Sequence, residues 1–276
     1  MNYRIVADSS SNMFSIPDVD FQSVPLKIIT ADREYVDTPD LDVTDMVNTL
    51  LTYKGKSGTS CPNSGEWLDA FGDADCIFAV TITSNLSGSY AAAKIARDEY
   101  LEQHPDAKVC IIDSLSAGPE LELIIEKLRE LILAGKTFEE ISDEIADYQQ
   151  HTHLMFSLES LRNLANNGRV SHAVAAVAGV LGIRLFGKAS DVGTLEPMHK
   201  CRSTKQLLRT YLTEMKAHGF CGGPIRVIHC LNETFAQQFA DAVHAEFPAC
   251  DIRITPCAGL CSFYAEKGGM LVGFEG

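Results

Sequence analysis

No apolar run in this 276-residue chain approaches the ~20 residues that cross a bilayer as a helix, and Met1-Asn2-Tyr3-Arg4-Ile5 leads straight into a strand pattern rather than a leader peptide. A soluble, cytoplasmic protein is expected. Basic residues are scarce, with 23 Lys and Arg against 37 Asp and Glu and a formal charge of −14. Because neutralising phosphates takes lysine and arginine, nucleic acid is excluded as the principal partner. The nine cysteines lack any C-x-x-C spacing, which argues against a disulfide framework or a zinc site. Most are expected as small core hydrophobes, with no metal and no cofactor. There is no G-x-x-x-x-G-K-[ST] loop for ATP, and Gly222-Gly223-Pro224 is too short and too proline-bound to replace one. A G-x-S-x-G elbow is also missing, and the eight histidines form no triad motif. No internal repeat or low-complexity linker interrupts the chain.

What is present reads as a globular α/β protein. Hydrophobic residues make up 46% of the chain, and its length suggests one large or two ordinary domains. Short apolar runs bounded by turn residues, at Tyr3 to Ala7, Cys76 to Ile82 and Lys108 to Ile112, suit a buried, mainly parallel sheet flanked by helices. Two helices follow. One carries the stripe Leu121, Ile124, Ile125, Leu128, Leu131, Ile132, and the other, after Ala134-Gly135-Lys136, carries Phe138, Ile141, Ile145, Tyr148. From His151 to Ser157 the pattern alternates like a strand, and a helix is predicted over Leu158 to Asn166 with Asn167-Gly168 as its C-cap. Further strands are predicted near Ile183 to Phe186, Ile225 to Cys230 and Asp251 to Thr255, and helices near Ser203 to His218 and Glu233 to Glu246. The expected domains are residues 1–150 and 151–276, the second an α/β unit with a mixed sheet. Ligand sites favour the seam between such halves.

Two hydroxyl-dense turns flank the apolar run Cys76 to Ile82: Thr59-Ser60-Cys61-Pro62-Asn63 and Thr83-Ser84-Asn85-Leu86-Ser87-Gly88-Ser89-Tyr90. The second breaks into a helical pattern, with Leu86, Tyr90 and Ala93 at four- and three-residue spacing. In an open α/β sheet, anions settle where strand ends meet helix N-terminal amides. Hydroxyls of Thr59, Ser60, Ser87 and Ser89 would add neutral donors for a carboxylate or phosphate, although Ser and Thr also serve as N-caps and turn formers. Charge is uneven as well. Between His151 and Lys216, nine Lys and Arg stand against four Asp and Glu, a local +5 that could dock something anionic or spread over solvated faces. Glycine and β-formers around Cys257 and Cys261 place that pair on a loop or strand, which argues against a redox or metal pair on one helix face.

With Asp8-Ser9-Ser10 after the first strand, T-S-x-P, S-x-L-S-G-[ST]-Y, Asp113-Ser114 and Asn167-Gly168-Arg169-Val170-Ser171 in this order, the chain resembles the DegV family, the fatty-acid-binding subunits of bacterial fatty acid kinase. The resemblance implies a protein that holds a long-chain fatty acid and presents its carboxylate to a separate kinase catalytic subunit, which would make the acyl phosphate. It implies carboxylate-binding positions at Thr59, Ser60, Ser87, Gly88 and Ser89, with Arg169 near the head group. In Lys200-Cys201-Arg202-Ser203-Thr204-Lys205 it implies that Arg202 engages the kinase. It further implies hydroxyl-rich head-group loops in the first domain, a lipid tunnel completed by the second, and a transient membrane-surface contact. The chain departs from the pattern twice. Gly118-Pro119-Glu120-Leu121-Glu122 has acids where glycines are expected, and Cys261 stands where a head-group histidine would. The competing reading is a serine hydrolase or acyltransferase acting on lipids through Ser87 or Ser60.

Overall fold

The computed structural model describes residues 2–178 and 182–276. Seven strands precede residue 150: β1 (Tyr3–Asp8), β2 (Asp20–Val24), β3 (Lys27–Thr30), β4 (Glu34–Val36), β5 (Ser57–Ser60), β6 (Cys76–Thr81) and β7 (Lys108–Asp113). Six follow it: β8 (Thr152–Leu158), β9 (Arg184–Ala189), β10 (Leu195–Cys201), β11 (Ile225–His229), β12 (Ile252–Pro256) and β13 (Met270–Glu275). The helices are α1 (Val43–Thr52), α2 (Ser64–Phe71), α3 (Ser89–Gln103), α4 (Pro119–Leu133), α5 (Phe138–Tyr148), α6 (Arg162–Asn166), α7 (His172–Ala178), α8 (Thr204–Ala217), α9 (Glu233–Glu246) and α10 (Gly259–Ala265), with a 3-10 turn at Ser9–Ser11.

The first sheet runs β2-β1-β6-β7 with every pair parallel. Parallel sheets are covered on both faces, so β6 reads as an unbroken apolar run and is buried throughout. Ile5, Phe78 and Val80 pack on the predicted stripes of α4 and α5, while Val6, Ile77 and Ala79 pack on Trp67, Phe71, Ala93 and Tyr100 of α2 and α3. The second domain holds a mixed sheet, β10-β9-β8-β13-β11-β12, antiparallel except for β11 with β12. Leu207 and Tyr211 of α8 and Phe239 of α9 cover one face. Phe156, Leu158 and Leu185 on the other meet α6, α10 and α1.

A three-stranded antiparallel sheet, β4-β3-β5, was not anticipated. Its strands are three to four residues long, and β5 is Ser-Gly-Thr-Ser, with no alternation to betray it. Thr59 and Ser60 therefore end a strand rather than forming a turn. The helix expected to include Leu86 starts at Ser89, which leaves Leu86 in the turn before it. Cys261 sits on α10, not on a loop or strand, because Asp37, far away in sequence, caps that short helix. The helix predicted from Leu158 is shorter, since Leu158 ends β8; the Asn167 C-cap and Gly168 at φ 74° are as expected.

Helix α4 ties the two halves. At Gly273 of β13, a Cβ would lie 2.6 Å from the Pro119 carbonyl and 2.7 Å from Glu120 N, so main chain packs on main chain. Further along α4, Glu126 receives Arg226 (2.7 Å) and Arg253 (2.5 Å) from β11 and β12. The Arg226 side chain is only 5% exposed.

Candidate functional site

A cavity of about 300 Å³ lies where the three sheets meet. Most of its wall is apolar: Leu26 and Ile82 from the first half, Leu154, Phe156 and Leu158 of β8, Leu195, Leu271, and Leu164 and Leu260 from α6 and α10. Polar groups interrupt it at several points, Ser10, Thr83, Ser116 and Thr194 among them. Thr59 and Ser60 at the end of β5, Ser87 and Gly88 before α3, and Arg169 after α6 all line the cavity. Contacts join them into one surface. Thr59 Oγ1 is 2.7 Å from the Tyr264 hydroxyl. Arg169 Nε donates to the Leu86 carbonyl at 3.1 Å, and its Nη1 to that of Asn167.

Gly88 has an ordinary φ of −76°, so its use here is spatial: a Cβ would stand 3.2 Å from Cys61 Sγ. Gly88, the N-cap of α3, has no side chain to cap the helix, and Ser87 Oγ instead accepts from Ser89 N at 3.3 Å. No acidic side chain pairs with Arg169 among the described residues, and no histidine lines the cavity among them. Among the described residues, Ser60 and Ser87 thus have no imidazole beside them on this wall, where a Ser-His hydrolase places its general base.

Two sequence-predicted positions fall elsewhere. Ser89 is fully buried and does not line the cavity; its hydroxyl donates to Asp8 Oδ2 at 2.6 Å. Arg202 is exposed, away from the cavity, and its N–H donates to Gln206 Oε1 at 2.9 Å just before the Ser203 cap of α8. Cys261 does line the cavity, and its Sγ donates to the Ser10 carbonyl at 3.4 Å. Burial pushes its thiol well above the ordinary range, so it stays protonated and poorly reactive. Among the described residues, no group of His, Cys, Asp and Glu is placed to hold a metal ion.

Sequence reasoning missed several wall and supporting residues. Tyr264 carries no local signal, because only the fold brings it 2.7 Å from Thr59. Ser10 and Ser116 line the cavity and are each held by a buried acid from behind. Ser10 Oγ donates to Asp8 Oδ1, and Ser116 Oγ donates to Glu120 Oε2 at 2.5 Å. Glu120 also accepts from Thr152 Oγ1 at 2.8 Å, and burial raises its pKa to about 7. Asp37 accepts from Gly259 N and Leu260 N at 2.6 and 2.9 Å, which positions the helix bearing Cys261 and Tyr264; burial raises it to about 6. The β9–β10 loop closes over the wall. Asn85 Nδ2 donates to the Val192 carbonyl at 2.6 Å, and Gly193, at φ 74°, lies so close that a Cβ would meet Thr83 Oγ1 at 2.2 Å.

The arrangement suits a molecule with a long apolar body and one anionic end. Among solved structures, the fold is similar to that of a DegV family protein from Eubacterium eligens loaded with heptadecanoic acid, at 45% identity and a TM-score of 0.97, covering 99% of each chain. It is also similar to the B3 protein of the Streptococcus pneumoniae fatty acid kinase loaded with linoleic acid, at 43% identity and a TM-score of 0.97, covering 100% of this chain and 99% of that one. A DegV domain-containing protein of Streptococcus pneumoniae is 43% identical over 279 residues, which span 100% of this chain and 99% of the relative. The family model described as an uncharacterised protein of the DegV family matches residues 2–275, and the chain belongs to the DegV family.

Proposed function

We propose that this protein binds one long-chain fatty acid in the seam cavity and presents the carboxylate to a separate fatty acid kinase, which forms the acyl phosphate. The observation that carries this reading is Arg169, a cation without an acidic partner among the described residues, set beside hydroxyls on the wall of an otherwise apolar cavity. Thr59, Ser60, Ser87 and the backbone around Gly88 are the donors to the carboxylate, and Cys261 adds apolar wall rather than a charge. Two similar proteins, at 45% and 43% identity, hold heptadecanoic and linoleic acid, and the second takes its name from a kinase.

The energetics divide the work. Burying about 14 methylenes at ~0.8 kcal/mol each gives roughly 11 kcal/mol, set against roughly 4 to 15 kcal/mol of lost ligand freedom. Tail burial decides affinity. Each hydrogen bond to the carboxylate adds about 1.5 to 3 kcal/mol and decides which end faces out. Such a subunit works in the cytoplasm with no ATP site or catalysis of its own. In this reading Arg202, exposed in the basic window and away from the cavity, contacts the kinase.

Mass spectrometry of an organic extract of the purified protein tests the carrier reading, with roughly one fatty acid per chain expected. A homogeneous apo mass together with no uptake of added fatty acid refutes it. Arg202→Glu tests the kinase arm: fatty acid affinity should hold while kinase-dependent phosphorylation falls. Unchanged turnover would leave Arg202 as a solvated surface residue.

A further inference from the structure

Ser89 points away from the cavity toward a carboxylate that the binding reading leaves without a role. Asp8, at the end of β1, is fully buried, and its four hydrogen bonds reach three segments. Oδ1 accepts from Ser10 N at 3.3 Å and from Ser10 Oγ. Oδ2 accepts from Ser89 Oγ at 2.6 Å and from Ile82 N at 3.0 Å. Each of these partners adjoins the polar wall. Ser10 and Ile82 line the cavity themselves, and Ser89 is the first residue of α3, directly after Ser87 and Gly88. No cation pairs with Asp8 among the described residues; hydroxyls and amides alone hold it.

We propose that Asp8 is a positioning residue for the head-group wall: by holding Ile82 N at one end of the 82–89 turn and Ser89 Oγ at the other, it sets where the Ser87 and Gly88 donors stand and so governs preference for a carboxylate over a neutral head group, without touching the ligand. The chemistry of the site requires a carboxylate in this place. Two of the four donors are backbone N–H groups, at Ser10 and Ile82, whose hydrogens cannot turn away, and they approach different oxygens. A carboxylate accepts both. An asparagine amide has one acceptor oxygen, so its NH2 would oppose one of the two N–H groups in either orientation and push that segment off its position. The inference also reassigns Ser89 from ligand donor to the far anchor of this brace. It rests on the fatty acid reading above, because it concerns the wall that receives the carboxylate.

The test compares a C16 fatty acid with the C16 fatty alcohol, which shares its tail and lacks its charge, on wild type, Asp8→Asn and Ser89→Ala. Wild type should prefer the acid. Both variants should lose acid affinity by about tenfold while alcohol affinity changes by less than about twofold. A purely structural role would loosen the cavity for both ligands alike, so equal losses for acid and alcohol overturn the proposal, as does an unchanged acid-to-alcohol ratio. Ser89→Ala, which removes one hydroxyl and keeps the Asp8 side chain, decides the matter if Asp8→Asn does not fold. Wild type that binds neither ligand defeats the carrier reading itself and this inference with it, whereas wild type that prefers the acid beside variants that keep that preference defeats the inference alone.

Discussion

Residues 57–61 and 82–89, which carry the hydroxyls, belong to a four-residue polar strand and the turn before α3, and directed hydrogen bonds hold their shape, between Thr59 and the Tyr264 hydroxyl and from Ile82 and Ser89 to the buried Asp8. Leu154, Phe156 and Leu158 face the same cavity from β8, an inner strand of a six-stranded sheet, and interdigitation alone holds them in place. The two regions solve different problems. A directional site needs donors fixed to fractions of an ångström, which hydrogen bonds to buried acceptors provide. An apolar wall needs only volume and contact, which regular sheet packing provides with little regard to any single residue's direction. Orientation and affinity are therefore separable by mutation.

The largest effect should come from the apolar side. Phe156→Ala removes a ring that is only 2% exposed and should cost about 3 to 5 kcal/mol of stability. Urea unfolding measures this, and binding of a fatty acid and its alcohol should fall in parallel. Selective loss of the acid would break the division between the walls.

A second effect concerns the buried acids Glu120 and Glu122 of α4 and Asp37 after β4. Burial raises Glu122 to about 8, Glu120 to about 7 and Asp37 to about 6. A carboxyl whose pKa rises on folding holds its proton more tightly in the native state. Its stabilising contribution is therefore complete below the unfolded value and is lost as pH climbs through the folded value. For Glu122 that window runs from 4.5 to about 8, so stability should decline across it. Glu122→Gln should flatten the decline between about pH 5 and about pH 8 by on the order of 3 kcal/mol. Identical slopes for wild type and variant in urea titrations would contradict this assignment.

Thr59→Ala combined with Ser87→Ala sharpens the contrast from the other side. Fatty acid affinity should drop by about tenfold or more with the melting temperature nearly unchanged, because donors vanish while tail burial remains. Calorimetric titration reads the first quantity and thermal scanning the second; equal affinity would move the head group elsewhere. The smallest effect is expected at Cys261. Its thiol is protonated and donates to a backbone carbonyl, so Cys261→Ser should change affinity by less than about twofold. Fast alkylation at neutral pH that bound lipid blocks would instead mark it as a reactive group.

How much of this was legible in the sequence follows from the range over which each signal acts. Apolar periodicity located β1, β6, β7, α4 and α5, because a covered parallel sheet and amphipathic helices write their burial into consecutive residues. The β5 strand left no such trace, since Ser57, Gly58, Thr59 and Ser60 are all half-buried and no residue of the strand alternates between core and solvent. Cys261 was placed on a loop or strand because its helix owes its start to Asp37, some 220 residues earlier, and no local window contains both. The hydroxyls at Thr59, Ser60 and Ser87 were found as a set, but which way each one points was not. Ser89 faces Asp8 for reasons of tertiary contact alone, and Tyr264 joins Thr59 only when the two halves meet.

Gly273 sits in that meeting plane, where a missing side chain lets β13 touch the first turn of α4 directly. The spacing of the halves at this point is consequently gauged by main chain against main chain, and a side chain introduced at Gly273 itself would force the two apart. The residues that line the cavity are thus at liberty to change, and ligand preference to diverge among relatives, while the spacing of the walls stays put. A scaffold dimensioned at one glycine outside its own binding site is a ready starting point for re-engineering that site.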